Sequence, residues 1–437
     1  MSGSIQDTPV VFASFNYRLG PLGFPAGVEA NQKGALNLGL RDQLVALEWL
    51  KQNIGSFGGD PAKVTVFGQS AGAVSVALLS LNSVLDSYAR GAILESGGAT
   101  STFLFDAARR QSSWDLFIDS IPGCSSASQD TFDCVRNASS DSLLGAINAS
   151  LAKEDEQYPW APTLDGPDGL LPELPSSLYA KGQFARIPFI SGNTVDEATP
   201  FTAPTTSSTD DVRNIVVNNY TTTTDGTATP ELDAAVDRLL EIYPDDPVSG
   251  SPFNTGNETF GLSSQFKRGA AILGDLMFHS LRRHWTQTAV TAGVKGYGYL
   301  FSGPPPPAAG VFPPSFGVAH GLETLYVFGT NPFGSEPFPN GSTTDIALSQ
   351  AMMDYWISFA SSLDPNDGKG SQRPSWPEYT LDNPVLLELN SGNIATIPVG
   401  QAFLAAYVIE TYYACLQDNY RAEQIGFINA NLEVFRR

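Results

Sequence analysis

Gly68-Gln69-Ser70-Ala71-Gly72 sets a serine between two glycines in the G-x-S-x-G pattern, the spacing that presents a hydroxyl on a sharp turn from strand into helix. The context fits: the apolar run VTVF at 64–67 precedes the motif and AGAVSVALLSL follows it. Glycine tolerates the unusual backbone angles of such a bend, and a Cβ at either flank is expected to collide with the adjoining chain. A serine hydroxyl is a poor nucleophile near neutral pH unless a base takes its proton during attack, and histidine suits that task. The chain has three histidines. His279 and His284 fall in the helical pattern GDLMFHSLRRHW, where packing or surface roles account for an imidazole. His320, in the loop-like FGVAHGLE, has glycine on either side to give it room and is the expected base. The imidazole then needs an acceptor for its second N–H, to fix the tautomer and stabilise the imidazolium. Asp196 and Glu197, adjacent in GNTVDEATP after the apolar IPFIS at 187–191, serve equally on residue type alone.

These residues need a scaffold. The run at 10–15 reads as a buried strand followed by the Gly/Pro-rich loop RLGPLGFPAG, and Leu40, Leu44, Leu47, Leu50 and Ile54 recur at three- and four-residue steps as one helix stripe. Strands are predicted at 64–67, 91–94, 187–191 and 296–301, and helices around 232–243 and 273–285. Strand alternating with helix is the signature of a mostly parallel sheet with crossover helices, whose active sites form beyond the carboxyl ends of the strands. The Thr/Ser-rich stretch 199–229 reads as exposed loop, and the proline-rich 302–317 as a stiff connector. No internal repeat or long linker divides the chain, so one domain with insertions is expected.

With 24 basic against 45 acidic residues, the net charge of −21 and the lack of a Lys/Arg cluster disfavour a nucleic-acid or anionic-membrane partner. No apolar run is long enough for a membrane span. Cys124 and Cys134 bracket a short polar loop that a local disulfide can close, leaving Cys415 as an expected buried free thiol. Sequons at Asn137, Asn148, Asn219, Asn257 and Asn340 make five glycosylation candidates. With the disulfide they point to a secretory route, although no leader is visible at residues 1–15.

Several longer segments strengthen the case: NYRLGPLGF at 16–24, NLGLRDQLVALEWLKQNIGSFGGDPAKVTVFGQSAGA at 37–73, AILESGG at 92–98, APTLDGPDG at 161–169, GNTVDEAT at 192–199 and HGLETLYVFG at 320–329. Together with WISFASSLDPN and SWPEY further on, they resemble the type-B carboxylesterase, lipase and cholinesterase family, secreted fungal members in particular. The resemblance implies an α/β-hydrolase fold over 1–437, with a mostly parallel central sheet flanked by helices. It implies Ser70 as nucleophile, Glu197 rather than Asp196 as acid, His320 as base, and the Ala71 N–H as one oxyanion donor. It supports the Cys124–Cys134 pairing and makes Asp196 structural. The substrate would be a small-molecule or lipid ester, hydrolysed through an acyl-enzyme without metal or organic cofactor, and the location extracellular. Phe201, Phe312 and Phe316 are candidate pocket aromatics.

Two departures stand out. Family members read G-E-S-A-G, whereas Gln69 stands here, which should alter the field around His320. An upstream part with a glycine-rich HGGG-type segment and the first strands is absent from the 437 residues. The expectation is therefore an N-terminally truncated domain, a vacant strand position between 10–15 and 64–67, and impaired turnover. The competing reading, a non-catalytic cholinesterase-like binding or adhesion protein, is disfavoured by the presence of all three triad residues.

Overall fold

The computed structural model describes residues 8–81, 84–154, 156–223, 225–303, 312–329, 342–390 and 415–437. Short runs rich in β-branched and aromatic residues build its sheet. These are β1 (Thr65–Gln69), β2 (Gly91–Glu95), β3 (Phe189–Thr194), β4 (Gly296–Phe301), β5 (Val385–Leu389) and β6 (Cys415–Gln417). They lie in the order β1-β2-β3-β4-β5-β6; every pairing is parallel except β5 with β6. In register, Gln69 stands beside Glu95, Glu95 beside Gly192 and Gly192 beside Tyr299. The carboxyl ends of β1 to β4 thus share one rim.

The helices that matter for the site are α1 (Leu38–Asn53), α2 (Ala71–Ser80), α3 (Thr209–Tyr220), α4 (Pro230–Ile242), α5 (Ser264–Gly274), α6 (Ser280–Thr291), α7 (Glu323–Phe328) and α8 (Thr343–Ser362). Alternation along β2 sorts the two faces of the sheet. Ala92 and Leu94 pack with Leu78 of α2 and Trp285 of α6, while Ile93 packs with Tyr326 of α7 and Trp356 of α8. Helices α3, α4 and α5 enclose a further cluster with Val216, Leu239 and Leu273. Cys124 and Cys134 form the expected disulfide, with Cα atoms 5.9 Å apart.

Several expectations need correction. Residues 10–15 form no strand; Val10, Val11, Phe12 and Phe15 are exposed. An apolar run becomes a strand only with a ladder partner, and among the described residues β1 pairs on one side only, with β2. Phe12 instead rests its ring against Phe67 and Phe328, each 6.0 Å away between centroids. Twelve residues of the stretch read as loop, 199–229, form the helix α3. Its Thr/Ser richness hid a capping box, Ser208 with Asp211, and the apolar stripe Val212, Val216, Tyr220. Cys415 is exposed rather than buried, because it opens the short edge strand β6. Asn219, on the inner face of α3, is buried and its amide reaches Gln157, so a glycan has no room there; Asn137, Asn148 and Asn257 are exposed, and Asn340 lies outside the described residues. Most of the proline-rich connector, 304–311, is outside them too.

Candidate active site

Ser70 is the hinge between β1 and α2, at φ 55°, ψ −123°. Left-handed backbone is costly for a residue with a Cβ. Here two hydrogen bonds hold it: the Ser70 N–H donates to the Glu95 carbonyl of the adjacent strand, and the Val74 N–H donates to the Ser70 carbonyl. Gly68 is needed for close approach, since a Cβ there would lie 2.4 Å from the Gly72 carbonyl carbon. The matching expectation for Gly72 fails: a Cβ there meets nothing within 4 Å, because it points away from the bend. Ala71 opens α2, so its N–H has no intrahelical acceptor and stands next to the Ser70 hydroxyl.

A carboxylate and an imidazole come from two loops at the same rim. Glu197 follows β3 by three residues and is buried; one carboxylate oxygen accepts from the Thr194 N–H at 2.8 Å and the Asn193 amide at 3.0 Å. The other oxygen lies 2.6 Å from His320 Nδ1. His320 is largely covered, with its ring against Phe201 and Phe278 at centroid distances of 5.0 and 4.8 Å. Its Nε2 edge faces the Gln69 amide at 3.1 Å. Phe201 is thus at the site, while Phe312 and Phe316 pair with each other nearby at 6.4 Å.

Asp196 and Glu197, equivalent on residue type, differ in direction. Asp196 turns away from His320 and stitches loops together: it accepts from the Ser251 hydroxyl (2.8 Å), the Phe253 N–H (2.8 Å) and the Val318 N–H (2.9 Å). Its own N–H donates to the Val318 carbonyl, completing a two-way clamp on the strand of chain that delivers His320. Burial pushes its carboxyl up to about 6 against the pull of those donors. The other histidines lie apart in the helical packing, His279 against the Tyr420 hydroxyl at 3.1 Å and His284 against the Tyr179 ring.

Two carboxyls beneath the site were not singled out in the sequence. Glu323, the first residue of α7, accepts from the Ser96 hydroxyl at 2.9 Å; Glu95 accepts from the Trp356 indole N–H at 2.6 Å. Both are fully buried, and the second oxygen of each has no hydrogen-bond partner among the described residues. Burial, with the Glu323 charge, raises Glu95 to about 8; burial, with the Glu197 charge, raises Glu323 to about 7. A glutamate inside the otherwise apolar AILESGG was the one available signal. No group of three or more His, Cys, Asp or Glu side chains among the described residues could hold a metal ion.

A mostly parallel sheet with a strained serine between its first strand and the following helix, and an acid–imidazole pair on the same rim, defines the α/β-hydrolase class. The solved structure of Aspergillus niger EstA superposes with a TM-score of 0.77 at 24% identity, covering 97% of this chain and 74% of that one. The carboxylesterase family model matches residues 4–402. The chain belongs to that family of carboxylic-ester hydrolases. Similar proteins include secreted lipase 1 of Botryotinia fuckeliana (34% identical, 98% of this chain and 68% of that protein). Lipase 2 of Geotrichum candidum is 35% identical (87% and 64%), and a secreted triacylglycerol lipase of Gibberella zeae 36% identical (86% and 60%). The chain thus spans 60–68% of the length of these relatives.

Proposed function

We propose that the protein is a secreted serine hydrolase of carboxylic esters, with Ser70 as nucleophile, His320 as base, Glu197 as its orienting acid and the Ala71 N–H as an oxyanion donor. The 2.6 Å contact between Glu197 and His320 Nδ1 carries the reading. With Nδ1 committed to a buried carboxylate, the imidazole keeps its lone pair at Nε2, the tautomer a general base needs. Attack by Ser70 Oγ on the ester carbonyl passes its proton to His320, which returns it to the leaving alcohol; water then cleaves the acyl-enzyme by the same route. The substrates are small-molecule or lipid esters, and the lipase names of the relatives favour acylglycerols among them.

A single α/β-hydrolase unit is the form proposed for residues 1–437. Hydrolysis of p-nitrophenyl acetate, butyrate and palmitate is to be compared between this chain and its Ser70→Ala variant. Turnover abolished by Ser70→Ala is expected. Turnover insensitive to Ser70→Ala would sink the assignment.

A further inference from the structure

Both nitrogens of the His320 ring have partners. Glu197 holds Nδ1, the Phe201 and Phe278 rings pack against the imidazole, and the other nitrogen, Nε2, faces the Gln69 side-chain amide nitrogen at 3.1 Å. An amide nitrogen only donates. The contact therefore uses the Nε2 lone pair, and a neutral imidazole has one such pair to give. The reversed amide would need a ring protonated at both nitrogens.

Ser70 and Gln69 are chain neighbours, so the serine hydroxyl and the glutamine amide compete for the same lone pair. We propose that Gln69 is a positioning residue that caps the base: its amide occupies Nε2 at rest, and Ser70 acquires its proton acceptor only when that amide swings aside. The inference rests on the triad reading above.

Geometry supports a movable cap rather than a fixed strut. Gln69 ends β1 and is only half-buried, and on its outer side β1 has no partner strand among the described residues. Its amide lies along the backbone of Gly321, the residue after the base. A Cβ on Gly321 would stand 3.3 Å from Gln69 Nε2 and 3.7 Å from its Cδ, so the glycine leaves the amide clearance there. The imidazole itself is held at Nδ1 and packed against two phenylalanine rings. The amide is therefore the partner that moves, and its departure breaks one hydrogen bond. The charged groups that face this pocket are Glu197 from the loop after β3, Glu323 from α7 and Glu95 from β2.

A neutral hydrogen bond of ordinary net strength keeps the uncapped form at about one third to less than one tenth of the molecules. Removing the cap is thus expected to speed attack by Ser70 about three- to tenfold. The test is the second-order rate at which a fluorophosphonate modifies Ser70 in the full chain, where Oγ bonds phosphorus and fluoride leaves. Native protein is compared with Gln69→Met, which keeps length without a donor, and Gln69→Glu, whose carboxylate offers no N–H to a neutral Nε2. Both variants should react faster than native, with the gain in kcat rather than KM for p-nitrophenyl butyrate. A merely structural role would slow both. Independently of any variant, selective ¹⁵N labelling of native protein should show an exchange-protected Gln69 side-chain amide that loses protection once Ser70 is modified. Modification of native Ser70 with variants no faster, or an unprotected amide, overturns the cap and leaves the triad standing. No modification of Ser70 at all overturns both.

Discussion

Replacing Glu95 with glutamine should make the protein more stable in alkaline solution and leave it nearly unchanged in acid. Glu95 lies in β2 between two neighbouring strands, and burial together with the Glu323 charge holds its carboxyl up at about 8, against 4.5 for an exposed glutamate. Below pH 4.5 the group is protonated in both the folded and the unfolded chain, and no penalty arises. Between 4.5 and 8 the unfolded chain releases the proton while the folded one keeps it, so stability falls by about 1.4 kcal/mol for each pH unit. Above 8 the penalty levels off, at no more than about 5 kcal/mol for the span and about 2–5 kcal/mol once relaxation and coupling to Glu323 are allowed for. Glutamine cannot ionise, yet its carbonyl oxygen can still accept from the Trp356 indole. For a chain of 437 residues, an unfolding entropy of about 0.9 kcal/mol/K converts that gain into roughly 2–5 °C. Thermal unfolding of native and Glu95→Gln protein, followed by near-UV circular dichroism at pH 4.5 and 8.5, reads the difference directly. General charge repulsion changes with pH as well, but equally for both proteins. An equal shift at the two pH values would refute the buried-carboxyl account.

Other substitutions separate the roles around the site. Glu197→Gln, which leaves His320 without an ionic partner, should lower kcat/KM for p-nitrophenyl butyrate by about 10³- to 10⁴-fold with little change in melting temperature; a loss below tenfold contradicts the assignment. Asp196→Ala should do something different: it strips partners from the Ser251 hydroxyl and the Phe253 and Val318 N–H groups, and denaturant unfolding should show a loss of about 2–5 kcal/mol. Cys134→Ser opens a disulfide with a sequence separation of 10, and is expected to cost about 2–3 kcal/mol while ester hydrolysis at permissive temperature stays the same.

The serine turn was readable because it is local: two glycines, a strand before and a helix after suffice to state it. His320 was singled out by elimination among three histidines, and the fold sets its Nδ1 against Glu197. Asp196 and Glu197 were not separable from residue types, since both follow β3; only the fold shows one turned to the 251–253 and 318 loops and the other to the imidazole. The run at 10–15 misled because apolar alternation records an intention to pair, and pairing is non-local. The helix α3 was hidden for the opposite reason: its helical spacing sits within a composition typical of loops. Glu95 and Glu323 look like surface residues in any one-dimensional reading, because burial of a carboxyl depends on helices α7 and α8 that close over β2 from far along the chain.

Among the described residues β1 pairs on one side only, and that pairing also fixes how the strand trades its amide protons with water. The Arg90 N–H reaches the Val64 carbonyl, and the Ser70 N–H reaches Glu95, so the even-numbered groups of this strand point into the sheet and the odd-numbered ones, at Thr65, Phe67 and Gln69, point outward. In deuterium the strand should therefore show two interleaved clocks, slow at Val66, Gly68 and Ser70 and fast between them. The boundary between the clocks falls at the turn itself: Ser70 is tied to the slow side, while its neighbour Gln69 belongs to the fast one.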